Sequence, residues 1–450
     1  MSLAHAPRTA ALDIAFTVAE RLRDPARVAR ITAAACAEVP AELMLPGWQP
    51  ASVLLGHPGV SLLHTACARD DEQWSAVAHA HLAAAVAAAP QAGPSAVGNL
   101  VLPALLRAQD TGGYARLLDR SVGVLAGHTG SRVAALRGRR AEGLSYLDYD
   151  VVAGLTGQGR VLLAAAGRGV GRARDALTGV LALLVELTEP LRVDGVDVPG
   201  WWCAPDRYVV PQDRAAYPRG DFNTGVAHGI CGPLALLSLA HLAGHRVPGI
   251  PDAVRRITDW LRGHAYDDGQ GGVSWPGRVA FDEETGVAAA GGDTGTRPGW
   301  CYGTAGIAGA LHLAGTALAD GTTSRQAVTA LSAALRRPVA ELGGDDPGFC
   351  HGLAGVLHAG VRLAARTGDE ELWRGADRLA TALISLYDPE SAFGYRQLVR
   401  GPAGPVRCES PALIDGAAGV ALALLTYAKT RGQGPTGSSV PLWDAVLLTS

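Results

Sequence analysis

The stretch GTAGIAGALHLAGTALA, residues 303–319, shows the pattern that decides the fold. Two glycines three residues apart are followed by an apolar run in which small residues recur at three- and four-residue spacing. Small residues at this spacing let helices approach closely, and the apolar residues fill a core. The glycine pair permits a tight turn and leaves the first N–H groups of the helix accessible. The stretch therefore predicts a glycine turn that leads into a buried helix.

This pattern recurs along the chain at spacings of roughly 40 to 75 residues, a range typical of helical arrays. The copies are GHPG at Gly56, GLTG at Gly154, GICG at Gly229, GTAG at Gly303, GLAG at Gly352 and GAAG at Gly416, with a degenerate copy, SAVG, at Ser95. More polar amphipathic runs, such as residues 251–264 and 370–387, lie between them. Seven pairs of an inner and an outer helix predict an all-α fold with the glycine-rich loops gathered at one end. Both a closed α/α toroid and an open solenoid could be built from these units.

Two segments break the helical pattern. Residues 194–222 and 272–299 are rich in Pro, Gly, Trp and β-branched residues, which predicts long loops with short β-hairpins. Each segment immediately precedes a glycine pair that carries polar residues, and long loops in a compact domain are usually functional. We therefore expect both segments to frame a cleft.

The composition excludes several classes of protein. The formal net charge of -3 gives no reason to expect a nucleic-acid partner. No uninterrupted apolar run is long enough to span a bilayer, and the N-terminus lacks the features of a signal peptide. The seven cysteines are scattered, which favours metal binding or catalysis over a disulfide framework. We therefore expect a cytoplasmic protein. A chain of 450 residues would ordinarily form two or three domains, but helical repeats can share one core, so we expect a single domain over residues 1–450.

Three polar residues beside the glycine pairs attract attention as candidate metal ligands. Cys301 lies in WCYG, and Cys350 and His351 lie in CHG. If the loops converge, two cysteines and a histidine form a plausible ligand set for Zn²⁺ with a fourth position open, as in catalytic sites. The residue types alone also allow ordinary buried side chains, because free cysteine is often a small core residue.

Five segments carry a resemblance to a known family. AHGICGPLALL, WCYGTAGIAGAL and CHGLAGVLHAG resemble the signature segments of the lanthipeptide (lantibiotic) cyclases, as do YDVVAGLTG and IDGAAGVALALL. The resemblance covers roughly residues 50 to 430. It implies a closed α/α toroid of seven inner and seven outer helices (a double α-barrel) with hairpin loops near the active-site rim. It also implies zinc held by Cys301, Cys350 and His351, and an enzyme that adds peptide cysteine thiolates to dehydroalanine or dehydrobutyrine.

The resemblance also implies three catalytic residues. His228 of AHG matches the proposed acid/base of the family, Asp150 matches an acidic residue implicated in catalysis, and Arg297 matches a basic residue near the zinc. Michael addition produces an enolate that must be stabilised and protonated. Histidine suits proton transfer near neutral pH, and a guanidinium suits developing negative charge. The structural alternatives are a helix-capping role for Asp150, a loop hydrogen bond for His228 and a surface salt bridge for Arg297.

The resemblance further implies the partners. The substrate would be a dehydrated precursor peptide with leader and core, and the lack of a large dehydratase or kinase region predicts the stand-alone (class I) type. A separate dehydratase would then act first, and a transporter and a membrane-associated biosynthetic complex are further expected partners. Some members carry an inserted lobe suspected of peptide binding, and residues 108–148 are the candidate for a small lobe of this kind.

Two other functions compete with cyclisation. The first is another zinc-dependent thiol alkylator on an α/α toroid, like a prenyltransferase β subunit, although an adjacent Cys-His pair does not fit its Asp, Cys, His ligand set. The second is a zinc-stabilised protein that binds thiols or glutathione and cyclises nothing. The presence of His228, Asp150 and Arg297 together favours catalysis.

Overall fold

The computed structural model describes residues 5–40, 43, 47–289, 298–401, 404–433 and 442–449. The α-helices are α1 (His5–Arg21), α2 (Pro25–Glu38), α3 (His57–Cys67), α4 (Gln73–Ala92), α5 (Pro94–Gly98), α6 (Val101–Thr111), α7 (Ala115–Arg139), α8 (Tyr146–Tyr149), α9 (Leu155–Ala166), α10 (Gly171–Leu187), α11 (Pro211–Ala216), α12 (Cys231–Leu242), α13 (Ile250–Gly263), α14 (Phe281–Glu284), α15 (Thr304–Ala317), α16 (Gly321–Arg336), α17 (Leu353–Thr367), α18 (Glu370–Ser385) and α19 (Ala417–Thr430). Single 3₁₀ turns occur at Arg140–Glu142, Pro205–Arg207, Val339–Leu342 and Leu442–Leu447. None of the described helices is long and apolar enough to cross a bilayer.

The strands are short and antiparallel. They are β1 (Leu191–Val193), β2 (Val196–Val198), β3 (Asp221–Asn223), β4 (Tyr266–Asp267), β5 (Val273–Ser274), β6 (Arg278–Ala280), β7 (Arg396–Gly401) and β8 (Gly404–Glu409). β1 pairs with β2, β4 with β5 and β7 with β8, whereas β3 pairs with β6 in a register that sets Asn223 opposite Arg278. Short hairpins are present, as predicted, but they do not lie within residues 194–222 and 272–299: the β1–β2 and β4–β5 hairpins begin just before these segments, and β3 and β6 pair across the two segments. The β7–β8 hairpin was not predicted.

The chain divides into two compact units. The first unit comprises residues 1–124 and 335–443. In it, α19 packs against α1, α3 and α17, while α4 and α18 pack outside α3 and α17. Every residue of α3 is buried, whereas α18 buries only one face. This difference separates an inner helix from an outer one, as the sequence predicts.

The second unit comprises residues 125–334 and 444–450 and repeats the same arrangement. Here α12 packs against α9 and α15, and the outer helices α10 and α13 cover α9 and α12. The inner helix α12 buries most of its residues, whereas α13 buries one apolar face around Ile257. The alternation of inner and outer helices is therefore present in each unit.

Close backbone contacts explain the glycine pairs. A Cβ atom added to the second glycine of a pair would lie only 1.9 to 2.8 Å from the carbonyl oxygen six residues earlier, at Gly59, Gly157, Gly232, Gly306 and Gly419. No side chain fits at that distance, so the loop can fold back onto the helix only where glycine is present. The first glycine is the N-cap of α3, α9, α15, α17 and α19. The degenerate copy differs, because SAVG lies inside α5 and α6 begins at Val101.

Backbone hydrogen bonds connect the glycine loops within each unit. In the first unit, the carbonyl of Leu54 accepts from Leu413 and Ile414, and the carbonyl of Ile414 accepts from Phe349 and Cys350. In the second unit, the carbonyl of Cys301 accepts from Val226 and Ala227, and the carbonyl of Ala227 accepts from Val151. The three loops of each unit therefore lie side by side, as the sequence predicts.

Candidate metal centre and acid–base pair

The three predicted metal ligands lie together. One ligand atom from each of Cys301, Cys350 and His351 lies within 4.8 Å of the other two. Among the histidine, cysteine, aspartate and glutamate side chains of the described residues, these three form a group that could hold a metal ion. Cys301 is buried, Cys350 is half-buried and the His351 side chain is 63% exposed. Two thiolates and one imidazole match the ligand chemistry of Zn²⁺ and leave a fourth position for another donor.

The loop before α17 presents two of these ligands. The Cys350 N–H donates to the Ile414 carbonyl at 2.9 Å and to Asp415 Oδ1 at 3.0 Å. Asp415 Oδ2 lies 4.0 Å from His351 Nδ1. At the start of the loop, Asp346 Oδ1 accepts from the Gly348 N–H at 2.9 Å. The backbone that carries the Cys-His pair is therefore held by its own turn and by the loop before α19.

Asp150 and His228, predicted as catalytic residues, form a hydrogen-bonded pair. His228 Nδ1 and Asp150 Oδ2 are 2.6 Å apart although the residues are 78 positions apart in sequence. Asp150 is fully buried, whereas 30% of the His228 side chain is exposed. Asp150 Oδ1 accepts from the N–H groups of Ala153 and Gly154 at 2.7 and 2.5 Å. One oxygen therefore caps the turn before α9 and the other holds an imidazole that reaches solvent.

One aromatic side chain lies beside this pair. The Tyr146 ring contacts the His228 ring edge to face, with centroids 5.6 Å apart. The Tyr302 hydroxyl accepts a hydrogen bond from Asn223 Nδ2 at 2.8 Å. Burial raises the pKa values of Tyr146 and Tyr302, so both phenols stay protonated at neutral pH. Arg297, the third predicted catalytic residue, lies outside the described residues.

Helix α7 supports the loop that carries Asp150. Arg132 Nη1 donates to the Ala153 carbonyl at 2.6 Å, and Nη2 donates to the carbonyls of Leu147 and Asp148 at 3.2 and 3.4 Å. Thr129 donates to Gln158 of α9 at 2.9 Å. The candidate lobe, residues 108–148, thus consists largely of α7, and its role in peptide binding stays a prediction.

Sequence reasoning missed Asp415, Tyr146 and Arg132 as parts of these sites. A positional signal was available for Asp415, because the residue immediately before the first glycine is polar in four successive copies. These residues are His228, Tyr302, His351 and Asp415. Tyr146 and Arg132 occupy no repeated position, and only their contacts identify them.

Comparison with known proteins supports the fold class that the repeats predict. A solved chain described as nisin cyclase superposes with a TM-score of 0.73 at 19% sequence identity, and the match covers 94% of this chain and 97% of that chain. The shared fold confirms the predicted α/α-toroid class. The nisin biosynthesis protein NisC of Lactococcus lactis subsp. lactis is 23% identical over 222 residues. That match covers 49% of this chain and about half of the length of NisC.

The family assignment rests on a match that covers most of the chain. The model of the family described as lanthionine synthetase C-like protein matches residues 47–433, which include all six intact glycine pairs and every described candidate site residue. The chain therefore belongs to the lanthionine synthetase C-like protein family.

Proposed function

We propose that this chain is a zinc-dependent lanthipeptide cyclase. It would add a cysteine thiolate of a precursor peptide to dehydroalanine or dehydrobutyrine, which forms a (methyl)lanthionine thioether ring. The observation that carries this proposal is the set of two thiol sulfurs and one imidazole, from Cys301, Cys350 and His351, within 4.8 Å of one another. A site of three ligands with an open position is the arrangement of catalytic zinc. When bound, zinc would lower the pKa of an incoming thiol, so that the thiol reacts as a thiolate.

The reaction then needs a proton at carbon. The sulfur forms a bond with the β-carbon, the π electrons move towards the α-carbon and its carbonyl, and a proton is delivered to the α-carbon. His228 is suited to this delivery because Asp150 holds its Nδ1 at 2.6 Å, which leaves Nε2 to exchange protons with the substrate. The developing negative charge would be stabilised by the guanidinium of Arg297.

The acid–base pair argues against a protein that merely binds thiols. Holding a thiol or glutathione on a metal requires no proton donor aimed at a carbon atom. A fully buried carboxylate that orients a partly exposed imidazole is the usual arrangement for proton transfer. The adjacent Cys350–His351 pair and the family membership also argue against a prenyltransferase-like enzyme.

The chemistry of the substrate defines the reaction that must come before. Dehydroalanine and dehydrobutyrine arise from serine and threonine by loss of water. A dehydration reaction must therefore supply the peptide, and we propose that a separate dehydratase catalyses it.

The proposal can be tested with a synthetic peptide that carries one dehydroalanine and one cysteine. Ring closure leaves the peptide mass unchanged but removes the thiol, so reaction with N-ethylmaleimide followed by mass spectrometry counts the open peptides. The full chain should bind about one zinc ion and protect the peptide from alkylation. Cys301→Ala and His351→Ala should lose both zinc and protection, whereas His228→Ala should keep zinc and close the ring slowly.

Cys408→Ala provides the matched control. It removes a half-buried thiol from strand β8, outside the metal cluster. This variant should keep zinc and activity. Normal ring closure by Cys301→Ala and His351→Ala would contradict the proposed metal site, and no ring closure by the zinc-loaded wild-type chain would contradict the proposed activity.

A further inference from the structure

We propose that Asp415 is a positioning residue for the metal ligands Cys350 and His351. Its two carboxylate oxygens serve the two ligands separately, one through the backbone and one through the imidazole ring. This inference deepens the proposed function and rests on its zinc site. Asp415 lies outside the ligand cluster, so its role is to fix the ligands and not to bind the metal.

The first oxygen fixes the backbone of Cys350. Asp415 Oδ1 accepts the Cys350 N–H at 3.0 Å, and the carbonyl of Ile414 accepts the same N–H at 2.9 Å. The neighbouring Phe349 N–H donates to the same carbonyl at 3.0 Å. A Cβ atom added to Gly348 would lie 2.9 Å from Asp415 Oδ1, so the turn is pressed closely against the carboxylate. These contacts determine where the Cys350 sulfur is presented.

The second oxygen faces the His351 ring. Asp415 Oδ2 lies 4.0 Å from His351 Nδ1, which is too long for a direct hydrogen bond. The His351 side chain is 63% exposed, whereas Asp415 is only 19% exposed and accepts from the Cys350 backbone. In the proposed metal-bound arrangement, a turn of the ring would bring Nδ1–H within hydrogen-bond distance of the carboxylate. That hydrogen bond fixes the tautomer and leaves the Nε2 lone pair for the metal.

The neighbouring acid Asp346 has a different role. Its Oδ1 accepts from the Gly348 N–H at 2.9 Å, and its backbone carbonyl accepts from Leu353 at the start of α17. Asp346 therefore holds the turn of its own loop. Asp415 is the carboxylate that contacts the backbone of one ligand and faces the ring of the other.

The experiment measures zinc affinity in the full chain. Asp415→Asn keeps one oxygen for the Cys350 N–H but loses the charge and the second acceptor, whereas Asp415→Ala loses both oxygens. Loss of a carboxylate that orients a metal-bound histidine weakens metal affinity by about 10- to 100-fold. We expect a loss of this size for Asp415→Asn in competition with a chromophoric chelator, and a larger loss for Asp415→Ala. The visible absorption of bound Co²⁺ should change in both variants.

Asp345→Asn is the matched control. Asp345 is 55% exposed and pairs with Arg400 and Arg407, so the substitution removes a nearby charge but none of the contacts to Cys350 described above. Its zinc affinity should equal that of the wild-type chain. Wild-type zinc affinity and an unchanged Co²⁺ spectrum in a folded Asp415→Asn chain would overturn the inference and leave the proposed function standing. A wild-type chain that binds no zinc would overturn both, and Asp415→Asn decides the question even if Asp415→Ala fails to fold.

Discussion

Replacement of Asp150 by asparagine separates the two roles that the structure gives to this side chain. Asparagine has the same shape and keeps one oxygen for the N–H groups of Ala153 and Gly154, so the turn before α9 stays capped. Its amide nitrogen then faces His228 Nδ1 in place of an oxygen. The neutral imidazole must reverse its tautomer to accept from the amide, and its protonated form loses the carboxylate partner.

The size of the effect follows from the contact that is lost. A hydrogen bond to a charged group contributes about 1.5–3 kcal/mol. If this energy stabilises the protonated His228 that delivers the proton, the ring-closing rate constant falls roughly 10- to 150-fold, since each 1.36 kcal/mol is tenfold in rate. Both partners are well shielded, because Asp150 is fully buried and only 30% of the His228 side chain is exposed. The full energy of the bond should therefore be available.

The assay compares single-turnover ring closure by zinc-loaded wild-type and variant chains, with alkylation and mass spectrometry as the readout. The ¹⁵N chemical shifts of the His228 ring should report the reversed tautomer. Asp148→Asn is the control, because it breaks the ion pair with Arg139 and the cap of α8 without touching His228. An Asp150→Asn chain that closes rings at the wild-type rate would refute the reasoning and reduce Asp150 to a loop cap.

Three further predictions concern other parts of the chain. Tyr146→Ala should slow ring closure several-fold because the His228 ring loses its edge-to-face neighbour. Tyr146→Phe keeps the ring and should close rings at the wild-type rate. Equal rates for the two variants would exclude a positioning role for the Tyr146 ring. Gly419→Ala should lower the free energy of unfolding by about 1–3 kcal/mol because the added methyl would lie 1.9 Å from a carbonyl oxygen, whereas Gly309→Ala, with nothing within 4 Å, should raise it by roughly 0.5–1 kcal/mol in denaturant titrations. A stabilising Gly419→Ala together with a destabilising Gly309→Ala would contradict the packing described above. Burial lowers the pKa of His64 to about 4, while the unfolded chain takes up this proton near pH 6.5. His64 should therefore contribute a fall of about 1.4 kcal/mol per pH unit between those values on acidification. His64→Gln should remove this contribution from the slope, and an unchanged slope would show that His64 is not a source of it.

The positions of the inner helices could be predicted from the sequence because their cause is local. In five of the six intact pairs the second glycine is required by a carbonyl oxygen only six residues earlier, so the requirement appears in the sequence at fixed spacing. The β7–β8 hairpin could not be predicted in the same way. Most of its residues are only partly buried, as in the pattern from Arg396 to Gly401, so no alternation of apolar and polar residues marks it. Its strands are held by ladder hydrogen bonds that any sequence can form.

The candidate site was predictable to the extent that its residues are chemically unusual. Cysteine and histidine beside a glycine turn stand out, and Cys301, Cys350 and His351 could be selected on that basis together with the family resemblance. Aspartate before a glycine is ordinary turn chemistry. The position of Asp415 before the first glycine of a pair is a weak signal, and its contact with the Cys350 N–H, across 65 positions of sequence, appears only in the structure.

The repeat also explains how one scaffold can carry the two proposed kinds of site, the metal centre and the acid–base pair. The close contacts fall on the two glycines and on the backbone atoms behind them, whereas the side chain before the first glycine differs from copy to copy. That position can therefore vary without disturbing the helix that follows. In the second unit it carries His228 and Tyr302, and in the first unit it carries His351 and Asp415. The loops of each unit are joined by backbone hydrogen bonds, so a side chain at this position meets the neighbouring loop, as Asp415 meets Cys350. Function at this position is thus a property of pairs of adjacent loops, which is why a single substitution at Asp415 should alter a ligand set to which Asp415 does not itself belong.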